Sequence, residues 1–85
     1  MEMTNNTQVL KDAILAALAD DWHTAHKIAQ NYSDATACWL HAVLHKIEGD
    51  EGNSRYWYAR ADNRHFEDYA DANSELNEML MQLSQ

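Results

Sequence analysis

The apolar positions of the chain recur at helical intervals almost from end to end. Val9, Leu10, Ala13, Ile14, Ala17 and Leu18 return as adjacent pairs four residues apart, which gathers them on one face of a helix turning about 100° per residue. The spacing predicts a helix from Thr7 to Ala19, capped by Asn5 or Asn6. A second helix is expected after Asp20 or Asp21 and runs to Tyr32, with Trp22, Ala25, Ile28, Ala29 and Tyr32 inward. Ser33 and Asp34 offer the next start, since a short polar side chain can accept from the free amides of a first helical turn. The third helix, Ala35 to Glu48, carries Trp39, Leu40, Val43, Leu44 and Ile47 around most of its circumference and is therefore the expected centre of the core.

Gly49 supplies a left-handed stop, and Asp50 caps a fourth helix with Trp57, Tyr58 and Ala61 on its inner side. Tyr56 and Arg60 share a different stripe of that helix, one turn apart. A fifth helix is expected from Phe66 to Leu83, where Tyr69, Ala72, Leu76, Met79, Leu80 and Leu83 repeat at three and four residues in a narrow seam. The pattern predicts an all-α fold, a single domain over residues 1–85 of about five short helices, antiparallel to their neighbours because the connections are short.

Composition narrows the functional classes. The chain has 85 residues, 46% hydrophobic, with three Trp, four Tyr and one Phe, and so has the apolar payload that a disordered acidic segment lacks. With no proline and two glycines, nothing forces a strand hairpin or a flexible linker. Six Lys and Arg against fourteen Asp and Glu give a net charge of -8, so a nucleic-acid backbone is repelled and is not an expected partner. The lone Cys38 cannot close an intramolecular disulfide, no apolar run approaches the ~18 residues of a membrane span, and MEMTNNTQ lacks the cationic start of a secretory signal. A cytoplasmic protein without a membrane anchor is the expectation. Charge is also uneven: residues 66–85 carry five acids and no base, or -5, while residues 1–65 hold six bases and nine acids, or -3.

The stretch ATACWLHAVLHKIEGDEGNSRYWYARAD resembles one helix-turn-helix unit of the tetratricopeptide and Sel-type repeats. The resemblance places the small residue of the first helix at Ala42, the turn at Gly49-Asp50, and the aromatic and small residues of the second helix at Tyr56, Trp57, Tyr58, Ala59 and Ala61. DDWHTAHKIAQ is similar to the second helix of another such unit, with Leu10 to Leu18 as its first. The chain also resembles a group of small uncharacterised bacterial proteins with a tryptophan-alanine-histidine segment followed by an EGD-N-YWY-RA segment. What the resemblance implies is TPR-like helical hairpins with a C-terminal capping helix, a scaffold for contacts between proteins.

Histidine is the residue type with chemical potential, at five of 85 positions. On the third helix Cys38, His41, His45 and Glu48 fall within an arc of roughly 80°, and His23 and His26 are available from the second. An i, i+4 histidine pair is half of a site for Zn²⁺ or Fe²⁺, provided that ligands converge from a second element. HAVLH has alanine where the zincin motif places its general base, which excludes that class of hydrolase, and no Glu-x-x-His unit of a ferritin-like iron site occurs. The alternative is structural: His26 and His41 at the edge of the core, each satisfied by a carboxylate, a carbonyl or a tyrosine hydroxyl, with His45 and Glu48 as a surface ion pair. Cys38 beside Trp39 reads as a small buried hydrophobe rather than a nucleophile served by His41. The Gly49 to Gly52 turn has two acids and no lysine, so it does not cradle phosphate.

Tyr56, Arg60 and Arg64, facing Asp68 and Glu75 of a second copy, form the expected interaction surface, because aromatic and arginine side chains make strong contact anchors and the charges are complementary. The sequence thus points first to a non-enzymatic protein-protein interaction module with no cofactor, forming a homodimer or binding another protein. The alternative is a metal-binding protein or small acid-base enzyme using His26, His41, His45 and Glu48. A third reading is an acidic mimic of nucleic acid through Asp68, Asp71, Glu75 and Glu78.

Overall fold

The structure is a computed structural model and describes residues 6–85. Five α-helices follow one another: α1 (Thr7–Leu18), α2 (Trp22–Ala29), α3 (Ala35–Glu48), α4 (Glu51–Tyr58) and α5 (Ala72–Leu83), with a 3-10 turn at Phe66–Asp68 between the last two. No strand occurs among the described residues, and no helix is long and apolar enough to cross a membrane. The helices pack as sequential pairs, α1 on α2 and α3 on α4, and α5 lies across α1 and α3. The expected central role of α3 holds: every residue from Ala37 to Leu44 is buried, with α1, α2, α4 and α5 all against it.

Local chemistry sets the boundaries. Asp21, Asp34, Asp50 and Asp71 each accept from the amide three residues on, at the starts of α2, α3, α4 and α5. Asn6 occupies the cap position of α1 but turns its amide to the Asp34 carboxylate instead, tying the start of α1 to the start of α3. Asn5, the other expected cap, lies outside the described residues. Gly49 ends α3 at φ 86, the left-handed conformation that glycine adopts without steric penalty. Between α3 and α4, Ser54 is wholly buried and donates its hydroxyl to the Ala42 carbonyl at 2.7 Å. A short serine side chain reaching the backbone of the facing helix means that α3 and α4 approach closely there.

Two expectations about the C-terminal third are corrected. The helix expected from Phe66 begins only at Ala72, because Asp68 folds back to accept from the His65 amide at 2.9 Å and Tyr69 is extended. The carbonyls of Phe66 and Tyr69, freed from helical bonding, are taken instead by the Lys46 ammonium at 3.0 and 2.9 Å. Glu75, expected on an interaction surface, is 1% exposed. Its carboxylate accepts from Lys46 at 2.9 Å, from the Trp39 indole at 2.7 Å and from the Tyr58 hydroxyl at 2.7 Å. Three bonds to one carboxylate and three from one ammonium satisfy this buried ion pair, which binds α3, α4, α5 and the connecting segment together. Burial, and then the bond to Glu75, push the Tyr58 phenol far above its ordinary value, so it remains a donor.

Candidate metal centre

His41 and His45 lie one turn apart on α3, and His26 comes from α2 on the opposite side of the same seam. The three rings form a closed set, with centroids 4.7 Å apart for His26 and His41, 5.1 Å for His41 and His45, and 5.4 Å for His26 and His45. One ring nitrogen from each lies within 4.8 Å of the other two. A tetrahedral ion with metal–nitrogen bonds of about 2.0–2.1 Å needs its ligand nitrogens about 3.4 Å apart.

Two indoles wall the cluster. Trp22 stacks on His26, centroids 4.7 Å apart and planes 9° apart, and is itself pinned by a 2.7 Å bond from its Nε1 to the Leu44 carbonyl. Trp57 of α4 stacks on His41 at 4.0 Å and 10°. The three tryptophans, each expected on an inward helix face, are divided: Trp39 joins the Glu75 network, and Trp22 and Trp57 flank the histidines.

Hydrogen bonding separates the three imidazoles. His45 Nδ1 lies 2.9 Å from Glu48 Oε1, an acceptor-only carboxylate, so Nδ1 is the donor of this pair and Nε2 is the nitrogen left to face an ion. This is the carboxylate-histidine arrangement that orients metal-ligating imidazoles. Neither His26 nor His41 forms a side-chain hydrogen bond with any described residue, so the carboxylate, carbonyl or tyrosine partners expected for them are not there. His41 is only 6% exposed, so its ring nitrogens have little access to solvent and no hydrogen-bond partner among the described residues. Desolvation first, and then the neighbouring His26 and His45, hold His41 down at about 4. Desolvation also lowers His26, assisted by His45 and His23 against the opposing pull of Glu48. At neutral pH the lone pairs of both are available to an ion.

Of the other residues singled out in the sequence, His23 is exposed and meets the edge of Trp22 at 5.5 Å, outside the cluster. Asp50 approaches His45 and Glu48, but both its oxygens are engaged by Asn53. Cys38 is buried, its thiol directed to the Ser33 carbonyl at 3.7 Å, and burial raises its pKa, which opposes nucleophilic use.

The arginines are engaged within the chain. Arg55 pairs with Glu51 and Glu67, Arg60 lies 4.2 Å over the Tyr56 ring, and Arg64 lies 4.1 Å over Trp39 while donating to the Ala61 carbonyl. Tyr56 is 49% exposed and lies under the Arg60 guanidinium, but α4 ends at Tyr58, so Arg60 reaches it from the turn beyond the helix and not from a shared helical stripe. Asp68 and Asp71 are turn and cap acceptors. Sequence reasoning missed Lys46 as the partner of Glu75, and Trp22 and Trp57 as the walls of the histidine cluster. A signal for one of these walls was present in the spacing, since Trp22 and His26 stand four residues apart on one helix; none existed for Trp57, which comes from a different helix than His41. No protein-family model matches the chain, and no curated protein or solved structure matches it either.

Proposed function

We propose that the protein is a small transition-metal-binding helical module, holding one divalent ion on His26, His41 and His45. The observation that carries this reading is the buried His41 imidazole, which has no hydrogen-bond partner among the described residues and faces two further imidazoles. Native structures rarely leave such a group unpaired, and an ion satisfies the lone pair directly. Three neutral imidazoles are borderline donors that suit Zn²⁺, Co²⁺, Ni²⁺ or Cu²⁺ and disfavour Mg²⁺ and Ca²⁺, which require oxygen. Glu48 supports the site by orienting His45.

Calorimetric titration of the metal-freed chain with zinc tests it. One ion per chain, with binding lost in His26→Ala and His45→Ala, is the expected result. Undetectable binding, or binding that these substitutions leave unchanged, overturns the reading.

A second reading, contact with a protein partner through Tyr56 and Arg60, is supported by the half-exposed tyrosine held under a guanidinium. Its test is sedimentation of the wild type beside Tyr56→Ala: a concentration-dependent dimer that the substitution abolishes supports it, and a monomer at every concentration counts against the homodimer form.

A further inference from the structure

Resting on the metal reading above, we infer that zinc on the three histidines retains an exchangeable water and hydrolyses small, uncharged esters. The first argument is the donor inventory. Glu48 lies against the Nδ1 of His45, and both oxygens of Asp50 bond Asn53 at the start of α4. The walls are indoles, which carry no metal donor. The group of ligand atoms within 4.8 Å of one another that includes both His26 and His41 is completed by His45 and holds no carboxylate, so three protein ligands face an ion that prefers four, and three imidazoles with an open position is the ligand pattern of catalytic rather than structural zinc. His41 lies at the buried base of the cluster while His26 and His45 are partly exposed, so the remaining position is on the solvent side.

Charge selects the substrate. Neutral imidazoles leave the full double charge on the ion, which lowers the pKa of bound water to about 7. Glu48 and Asp50 are the acids nearest the cluster in a chain of net charge -8, and this field repels phosphate esters and carboxylates.

In the step, the coordinated water gives one proton to solvent and its oxygen attacks the ester carbonyl carbon. The carbon–oxygen bond to the leaving group breaks, that oxygen leaves with the bond's electron pair and is protonated by solvent, and a carboxylic acid is released. A second water refills the ion. Nothing is oxidised or reduced, and water is the one co-reactant.

The experiment follows 4-nitrophenyl acetate hydrolysis by the zinc-loaded full chain, with zinc binding measured by calorimetry on the same preparation. In parallel, the cobalt-loaded chain is titrated with thiocyanate and its visible bands recorded. The expected results are a rate at least about tenfold above free zinc at equal concentration, lost in His45→Phe and on chelation, retained in Met81→Ala, and cobalt bands that shift with thiocyanate. Met81 is 58% exposed on α5, away from the ligands. Zinc bound at one per chain with a rate no greater than free zinc overturns this inference and leaves the metal reading standing. Cobalt bands insensitive to thiocyanate overturn it as well, because they mean a closed coordination sphere. Absence of zinc binding removes both.

Discussion

His41 lies flat against Trp57, with ring centroids 4.0 Å apart and planes within 10°. The stacking covers one face of an imidazole whose nitrogens bond no described residue, and it keeps that ring in the seam between α2, α3 and α4. A polar group retained in this way makes the seam sensitive to protons and to cations.

The proton response follows from the sign of the shift. His41 is depressed from 6.5 to about 4 in the folded chain, so below 6.5 the unfolded chain binds a proton that the folded chain does not. Stability is full above the unfolded value and falls as pH drops through the window from 6.5 to about 4, by roughly 3 kcal/mol for this group. Urea unfolding of the metal-free chain across that window checks it. His41→Phe should flatten the dependence, and a wild-type stability constant from neutral pH down to the folded value contradicts the assignment.

Metal should act oppositely. At about 100 times its dissociation constant, zinc bound only to the folded chain adds about 2.7 kcal/mol, which for a domain of this size raises Tm by roughly 10–20 °C. Glu48→Gln retains the shape of the side chain but weakens its grip on the His45 N–H, so zinc affinity should fall about 10- to 100-fold with the fold unchanged. Calorimetry beside circular dichroism separates the two effects.

Lys46 and Glu75 should show strong non-additivity. Removing either leaves the other as an uncompensated buried charge, so Lys46→Met or Glu75→Leu alone should cost about 3–5 kcal/mol. The double variant should cost clearly less than the sum, by on the order of 1–3 kcal/mol, though the Trp39 and Tyr58 donors also lose their acceptor. Additive losses in denaturant unfolding would remove the ion pair as the organising contact.

Gly49→Ala isolates a backbone effect. An added Cβ meets nothing within 4 Å, yet φ is 86. The substitution should cost about 1 kcal/mol of stability through strain alone, with zinc binding unchanged. A loss several times larger means that the α3–α4 turn carries more than a change of direction.

Most of the helical frame was legible before any coordinates, because capping aspartates and the 3.6-residue period are local signals. Asp21, Asp34 and Asp50 start helices where their short side chains reach the third amide, and the apolar circumference of α3 announces its central place. Residues 66–71 misled the same reasoning: the Tyr69 spacing suits a helix, but Lys46, some twenty residues away, bonds the carbonyls that a helix would use.

The side-chain partnerships divide in the same manner. The shared face of His41 and His45 follows from angles along one helix, so the sequence alone determined it. Which side of α2 meets α3, and hence that His26 completes a trio walled by two indoles, was decided by tertiary packing. The same holds for Glu75, read as a surface acid and found beneath Lys46, Trp39 and Tyr58. Helix periodicity encodes which residues share a face; only the packed chain, by bringing distant donors within about 3 Å, decides whether a polar residue on that face meets water or a partner.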